Sequence, residues 1–132
     1  MNAVFADTFY FLALVNERDA AHEKAIQFDA VARPLITTAW VLTEVADALS
    51  TPENRPTFLQ LLETLEDSPD ARIIGPTPEL FDRGVELFRQ CADKDWSLTD
   101  CTSFVAMKDE QVADALTGDH HFEQAGFRAL FK

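Results

Sequence analysis

The chain has 132 residues, 47% of them hydrophobic, with 11 Phe and 2 Trp against only 4 Gly and 6 Pro; it can fill the core of a single domain, which excludes a disordered or loop-dominated chain. Its formal net charge is −12, from 11 Lys and Arg against 23 Asp and Glu, which disfavours tight, sequence-independent binding of nucleic acid through phosphates and suits a cation or a basic partner. Cys91 and Cys101 lack the spacing of paired zinc ligands and cannot staple a chain of this size, so both are expected as reduced, packed residues of a cytoplasmic protein.

Along the chain, short apolar runs alternate with longer helical patterns, with no internal repeat. Residues 3–6 (AVFA) read as a buried strand. Thr8 is expected to cap the helix that follows, which carries Phe9, Leu12 and Ala13. The apolar run Phe9 to Val15 is too short to span a membrane. Asp7 precedes it and no Lys or Arg does, so it is a poor secretory leader. A second helix is expected from Asp19 to Val31, with Asp19 as its cap and His22, Ile26 and Asp29 at helical spacing.

Residues 35–38 (LITT) follow Pro34 and read as a strand. The helix from Ala39 to Leu49 stops before Thr51-Pro52. Phe58, Leu61, Leu62 and Leu65 mark the next helix. Residues 72–75 (RIIG) form a strand that ends at Gly75-Pro76. Leu80, Gly84, Leu87 and Phe88 trace another helix, and Ser97 to Asp100 open an apolar one through Cys101, Phe104 and Val105. Residues 112–117 and 127–131 are the last strand candidates. Strands separated by helices imply parallel pairing and right-handed crossovers. The expectation is an α/β, three-layer α/β/α domain with a central parallel sheet, whose ligands sit beyond the carboxyl ends of the strands.

Four acids stand out against that frame, each with an ordinary role beside the functional one. Asp7 ends the first strand, where it could simply cap a helix. Glu44 lies at the edge of a polar strip formed by Thr43, Asp47 and Ser50, flanked by Trp40 and Ala48, which is also where a boundary glutamate belongs. Asp100 completes the capping pattern Ser97-x-x-Asp100, a role that leaves it free to ligate, because a carboxylate has two oxygens. Asp119 follows the fourth strand beside Gly118 and could cap a turn. Joint placement at one end of a sheet is stronger than any of these alone. Carboxylates about 5 Å apart repel by roughly 3 kcal/mol per pair at an effective dielectric near 20. Several such groups must protonate, separate or recruit a cation, and a hard divalent ion suits oxygen ligands.

Adjacent helical residues diverge, so His120 and His121 are not both expected to reach one site; they read as surface residues or as supports behind the acids. His22 reads as packing or capping. Arg18 and Lys94 could contact phosphate, but isolated basic residues are usually only solvated.

These motifs resemble the PIN domain, and in particular the VapC-like toxins of prokaryotic toxin–antitoxin pairs. The matching segments are VFADTFYFLALVNERDAAHEKA, ITTAWVLTEVADAL, DKDWSLTDCTSFVAM and ADALTGDHHFEQAGF, which span nearly the whole chain in the family's order. The resemblance implies hydrolysis of RNA phosphodiester bonds, with Mg²⁺ or Mn²⁺ held by Asp7, Glu44, Asp100 and Asp119 and with Thr8 and Thr117 in support. It also implies an antitoxin partner with a basic segment, and it leaves a homodimer open. His120-His121 falls in a variable stretch, so no role carries over. A non-catalytic module of the same fold and a stand-alone RNA-processing nuclease without an antitoxin stay as alternatives. A phosphatase working through an aspartyl-phosphate would want a second Asp at the position of Phe9. A receiver domain would want an acidic pair after the first strand and a late Lys.

Overall fold

The computed structural model describes residues 2–132. The elements run β1 (Val4–Ala6), α1 (Thr8–Val15), α2 (His22–Asp29), β2 (Leu35–Thr38), α3 (Ala39–Ala48), α4 (Arg55–Asp67), β3 (Ala71–Ile74), α5 (Pro78–Gln90), α6 (Leu98–Asp109), β4 (Asp114–Leu116), α7 (His120–Gln124) and β5 (Arg128–Ala129). The strands form one five-stranded sheet in the order β3-β2-β1-β4-β5. Every pairing in it is parallel, and helices complete the three-layer α/β/α arrangement. Among the described residues no helix is long and apolar enough to cross a membrane.

Burial shows why β1 sits at the centre. Successive strand residues face opposite sides of a sheet, yet Val4, Phe5 and Ala6 are all fully buried. Both faces are therefore covered, as all-parallel sheets require. The strand order reverses between β1 and β4, so the carboxyl ends of these strands flank the switch point where α/β folds bind ligands. Phe5↔Ala115 and Ala6↔Leu116 set their register, which makes Asp7 and Thr117 the next pair along. Thr37 Oγ1 donates to the Ala6 carbonyl at 2.8 Å and fastens β2 to the same end.

α6 is buried continuously from Asp100 to Met107, the mark of a helix enclosed on all sides. Phe104 anchors it, with Trp96 and Phe122 edge-on to its ring at centroid distances of 5.0 Å each. Both cysteines are free thiols, and burial, with help from Asp100 and Cys91, pushes the Cys101 thiol up to about 11.

Several boundaries differ from the sequence reading for local reasons. α2 begins at His22, not Asp19, because Asp19 makes a turn instead: its carboxylate accepts from Ala21 N at 2.8 Å and its carbonyl from His22 N at 3.0 Å. The helix ends at Asp29 rather than Val31, ahead of Pro34, whose ring disfavours helical geometry in the residue before it. β3 starts one residue early, at Ala71, and stops before Gly75. β4 excludes Val112, whose N–H closes α6 on the Met107 carbonyl, beside the positive-φ residue Gln111. β5 is only the pair Arg128–Ala129. Thr8 does not cap α1: the cap position belongs to Asp7, and Thr8 is the first helical residue.

The close approach of α5 to α6 depends on Gly84, where an added Cβ would stand 2.6 Å from Thr102 Cγ2 but no nearer than 3.4 Å to the Thr102 backbone. Gly84→Ala should therefore destabilise the protein by about 1–3 kcal/mol, although alanine alone favours a helix by about 1 kcal/mol. Thr102→Ser removes the obstructing methyl group, and in that background Gly84→Ala should be neutral or stabilising. Urea denaturation of the four proteins checks this; equal effects in both backgrounds would disprove the contact's role.

Candidate functional site

The four acids come from four separate elements; Asp100 and Glu44 are near enough to Asp7, and Asp119 to Asp100, to act on the neighbour's charge. Asp7 occupies the cap position of α1 but makes no side-chain capping bond there. Its Oδ2 instead accepts from Thr117 Oγ1 at 2.8 Å, across the register pair that follows β1 and β4. The same hydroxyl accepts from the backbone N–H of Asp119 at 3.0 Å, so Thr117 links the first acid to the last. Gly118 lies between them with the Phe9 ring over it: an added Cβ would stand 2.7 Å from Phe9 Cζ.

Glu44 projects from α3, whose start is fixed by Thr38 Oγ1 accepting from Val41 N at 3.1 Å. Thr8 Oγ1 donates to Glu44 Oε1 at 2.5 Å, so the hydroxyl expected to cap a helix orients a carboxylate 36 positions away. Asp100 does form the expected capping box with Ser97: its Oδ2 accepts from Ser97 N at 3.1 Å, and Ser97 Oγ accepts from Asp100 N at 3.0 Å. Asp119 caps α7, its Oδ1 accepting from His121 N at 2.9 Å.

Electrostatics ties these groups into one cluster. Burial, against the opposing Thr117 hydrogen bond, pushes the Asp7 carboxyl up to about 7 from 3.8, and both Asp100 and Glu44 add to the rise. Burial also raises Asp100, with Asp119 adding to the rise while the hydrogen bonds from Ser97 and His121 oppose it. Each of the four acids is therefore near enough to another to feel its charge. The hydrogen bonds fall on one oxygen of each: Oδ2 of Asp7, Oε1 of Glu44, Oδ2 of Asp100 and Oδ1 of Asp119.

The two adjacent histidines were not both expected at one site, yet their rings stand 4.5 Å apart and both face Asp119, with Nδ1 atoms 3.6 Å (His120) and 3.3 Å (His121) from its Oδ1; they differ in burial. The side chain of His120 is 61% exposed, whereas that of His121 is 17% exposed and its Nδ1 lies 3.0 Å from Asp100 Oδ2. Ligand atoms of Asp119, His120 and His121 all lie within 4.8 Å of one another, a group able to hold a divalent metal. The sequence left both histidines as surface residues or supports behind the acids and did not tell which of the two is buried against Asp100 and Asp119. The signal for it is Phe122, fully buried, which fixes the rotation of α7 and hence the directions of its two predecessors. His22 instead holds α2 to α1, with Nδ1 2.8 Å from the Ala13 carbonyl. Lys94 pairs with Asp93, and Arg18 is exposed.

The sign of the Asp7 shift gives a stability test. A carboxyl whose folded value is about 7 binds its proton more tightly folded than unfolded. The contribution of Asp7 to the stability of the metal-free protein therefore falls as pH rises from about 4 through 7, by up to about 4 kcal/mol for a shift of this size. Asn at position 7 can still accept from Thr117 and has no charge to bury. In EDTA, Asp7→Asn should be more stable than the wild type at pH 8, and the difference should shrink toward pH 4.5. Urea midpoints at both pH values measure it, and a difference independent of pH would reject the burial argument.

Comparison with known proteins follows the same geometry. The sequence model of the PIN domain family matches residues 4–128. No match was found among curated protein sequences. Among solved structures, the chain is similar to VapC20 of Mycobacterium tuberculosis, described as a toxin that cleaves the sarcin–ricin loop, at 25% identity and a TM-score of 0.84, covering 94% of this chain and 95% of that one. It is also similar in fold to FitAcB of Neisseria gonorrhoeae, at 17% identity and a TM-score of 0.65, covering 96% and 95% of the two chains. A third is VapBC2 of Rickettsia felis, solved with a DNA fragment from its promoter, at 13% identity and a TM-score of 0.67, covering 97% and 96%. With a family match over nearly its whole length and the parallel sheet and strand-end acids to go with it, this chain belongs to the PIN domain family.

Proposed function

We propose that this protein is a divalent-metal-dependent ribonuclease that hydrolyses RNA phosphodiester bonds, acts as a single domain and serves as the toxin of a toxin–antitoxin pair. The observation that carries the reading is the tethering of four acids at the switch point, each through one oxygen. A carboxylate has two oxygens and several lone pairs, so tethering one sets the direction of the other. That is how a ligand shell is oriented before an ion arrives. The donor set fits a hard divalent cation such as Mg²⁺ or Mn²⁺, since its ligands are carboxylate oxygens and those of Asp7 and Asp100 are buried. Asp7, Glu44, Asp100 and Asp119 would hold it.

When bound, such an ion supplies Lewis acidity toward a phosphodiester and lowers the pKa of water. The chain's residues supply position. Thr117 orients Asp7 and the backbone of Asp119, Thr8 orients Glu44, and the Ser97 capping box orients Asp100. A non-catalytic module has no evident use for Asp7, a carboxyl only 5% exposed and held against its own desolvation. The likeness to VapC20 makes the sarcin–ricin loop the first RNA to test. An antitoxin with a basic segment suits the net charge of −12; Arg is the fitting residue, because its planar fork engages two carboxylate oxygens.

Purified protein should cleave RNA with Mn²⁺ or Mg²⁺ and lose activity in EDTA. Asp7→Asn should abolish cleavage while folding normally. Thr8→Val should lower cleavage about 10- to 100-fold by freeing Glu44, with part of the loss recovered at high metal concentration. Labelled sarcin–ricin-loop RNA read on gels checks all three. Full cleavage by a well-folded Asp7→Asn protein would sink the mechanism.

A further inference from the structure

Among the described residues, His121 is the titratable side chain that contacts two of the four carboxylates: its Nδ1 lies 3.0 Å from Asp100 Oδ2 and 3.3 Å from Asp119 Oδ1. Three features hold it there. Its backbone N–H donates to Asp119 Oδ1 at 2.9 Å. The next residue, Phe122, is fully buried against Phe5 and Phe104. The imidazole itself is 17% exposed, against 61% for His120. Without an ion, the contact with Asp100 is a hydrogen bond; an ion would displace the Nδ1 proton and take its lone pair, and the Nδ1 already lies within 4.8 Å of a ligand oxygen of Asp119.

We propose that His121 supplies a nitrogen ligand to the divalent ion held by Asp100 and Asp119, and that this donor makes the site favour transition-metal ions over Mg²⁺. The inference rests on the metal-site reading above and adds to it the identity of one ligand and a metal preference. The chemistry is a matter of ligand type. Mg²⁺ takes oxygen and keeps much of its water, whereas imidazole nitrogen strengthens binding of first-row transition ions. Asp119 is the shared element, since it caps α7 and thereby brings the imidazole to the same ion its own carboxylate reaches.

Mn²⁺ is the probe, added to the intact protein without RNA and read by electron spin-echo envelope modulation. The expected result is nitrogen modulation from a directly bound imidazole in the wild type and in His120→Asn, and its loss in His121→Asn. By calorimetry, His121→Asn should weaken Mn²⁺ binding about tenfold or more and change Mg²⁺ binding far less. A His121 that only orients Asp100 would weaken both ions alike and give no nitrogen modulation in the wild type. That outcome overturns the proposal but leaves the metal site standing, provided Mn²⁺ binding is still lost in Asp7→Asn. Modulation that survives in His121→Asn and disappears in His120→Asn overturns it as well. Absence of saturable Mn²⁺ binding to the wild type removes the metal site itself and the inference with it. Should His121→Asn fail to fold, the wild-type spectrum still decides, because missing nitrogen modulation is enough to reject the ligand.

Discussion

Burial of one carboxyl group at the end of the central strand shapes much of this molecule. β1 lies in the middle of an all-parallel sheet, so the residue that follows it has strands on both sides and helices above and below. At that position a leucine would simply join the core. Asp7 stands there instead, and desolvation works against its charge more strongly than the Thr117 hydrogen bond works for it. An isolated carboxylate in such a place should be neutral, and more carboxylates around it make ionisation harder still. The fold nonetheless places Asp100 and Glu44 near enough to add to the rise of Asp7. Burying the Asp7 charge works against folding, and groups that do so cluster at functional sites.

The surface charge points the same way. An enzyme acting on RNA ordinarily holds phosphates with Lys and Arg, and here much of that set is engaged elsewhere. Arg83 makes a two-pronged pair with Asp109, and Arg128 does the same with Asp114. Arg72 pairs with Glu110, Arg89 with Glu86, Lys94 with Asp93 and Lys132 with Glu123. These exposed pairs are each worth little in stability, but each turns a cation toward the protein's own acids. With a net charge of −12, the long-range field repels a polyanion. In the proposed reading the local field inverts only where an ion sits among the four acids, so affinity for phosphate becomes conditional on metal.

Most of the fold was legible in the sequence because its elements obey local rules. Apolar runs bounded by Pro and Gly gave the strands, and helices between them forced parallel pairing. The errors lie where a side chain chose another partner. Asp19 bent the chain instead of capping, which delayed α2. Thr8 has the right chemistry for a cap, but its hydroxyl is used by Glu44, a contact between α1 and α3 that no window of sequence contains. The site was partly legible for the same reason. Asp7, Asp100 and Asp119 announce themselves by lying at element boundaries, whereas Glu44 sits inside a helix, and the boundary role suggested by periodicity gives no hint of its partner. Asp100 shows that the ordinary and functional readings need not compete: one oxygen closes the capping box, and the group still faces the cluster.

The fourth acid is the one whose position owes most to distant packing. Asp119 leads into α7, a helix of five residues, far too short to be stable alone. Its direction is set by Phe122, which lies against Phe5 from the central strand and Phe104 from α6. Trp96 closes the other edge of Phe104 and donates from its indole N–H to Gln124 on α7 at 3.0 Å. The aromatic cluster thus joins β1, which presents Asp7, to α6, which presents Asp100, and to α7, which presents Asp119 and His121. These aromatic contacts and the polar contacts above them cross between the same elements, so a core that fixes the helices also fixes the spacing of the acids. A crowd of like charges cannot hold itself together, and in this protein the phenylalanines beneath it supply the restraint.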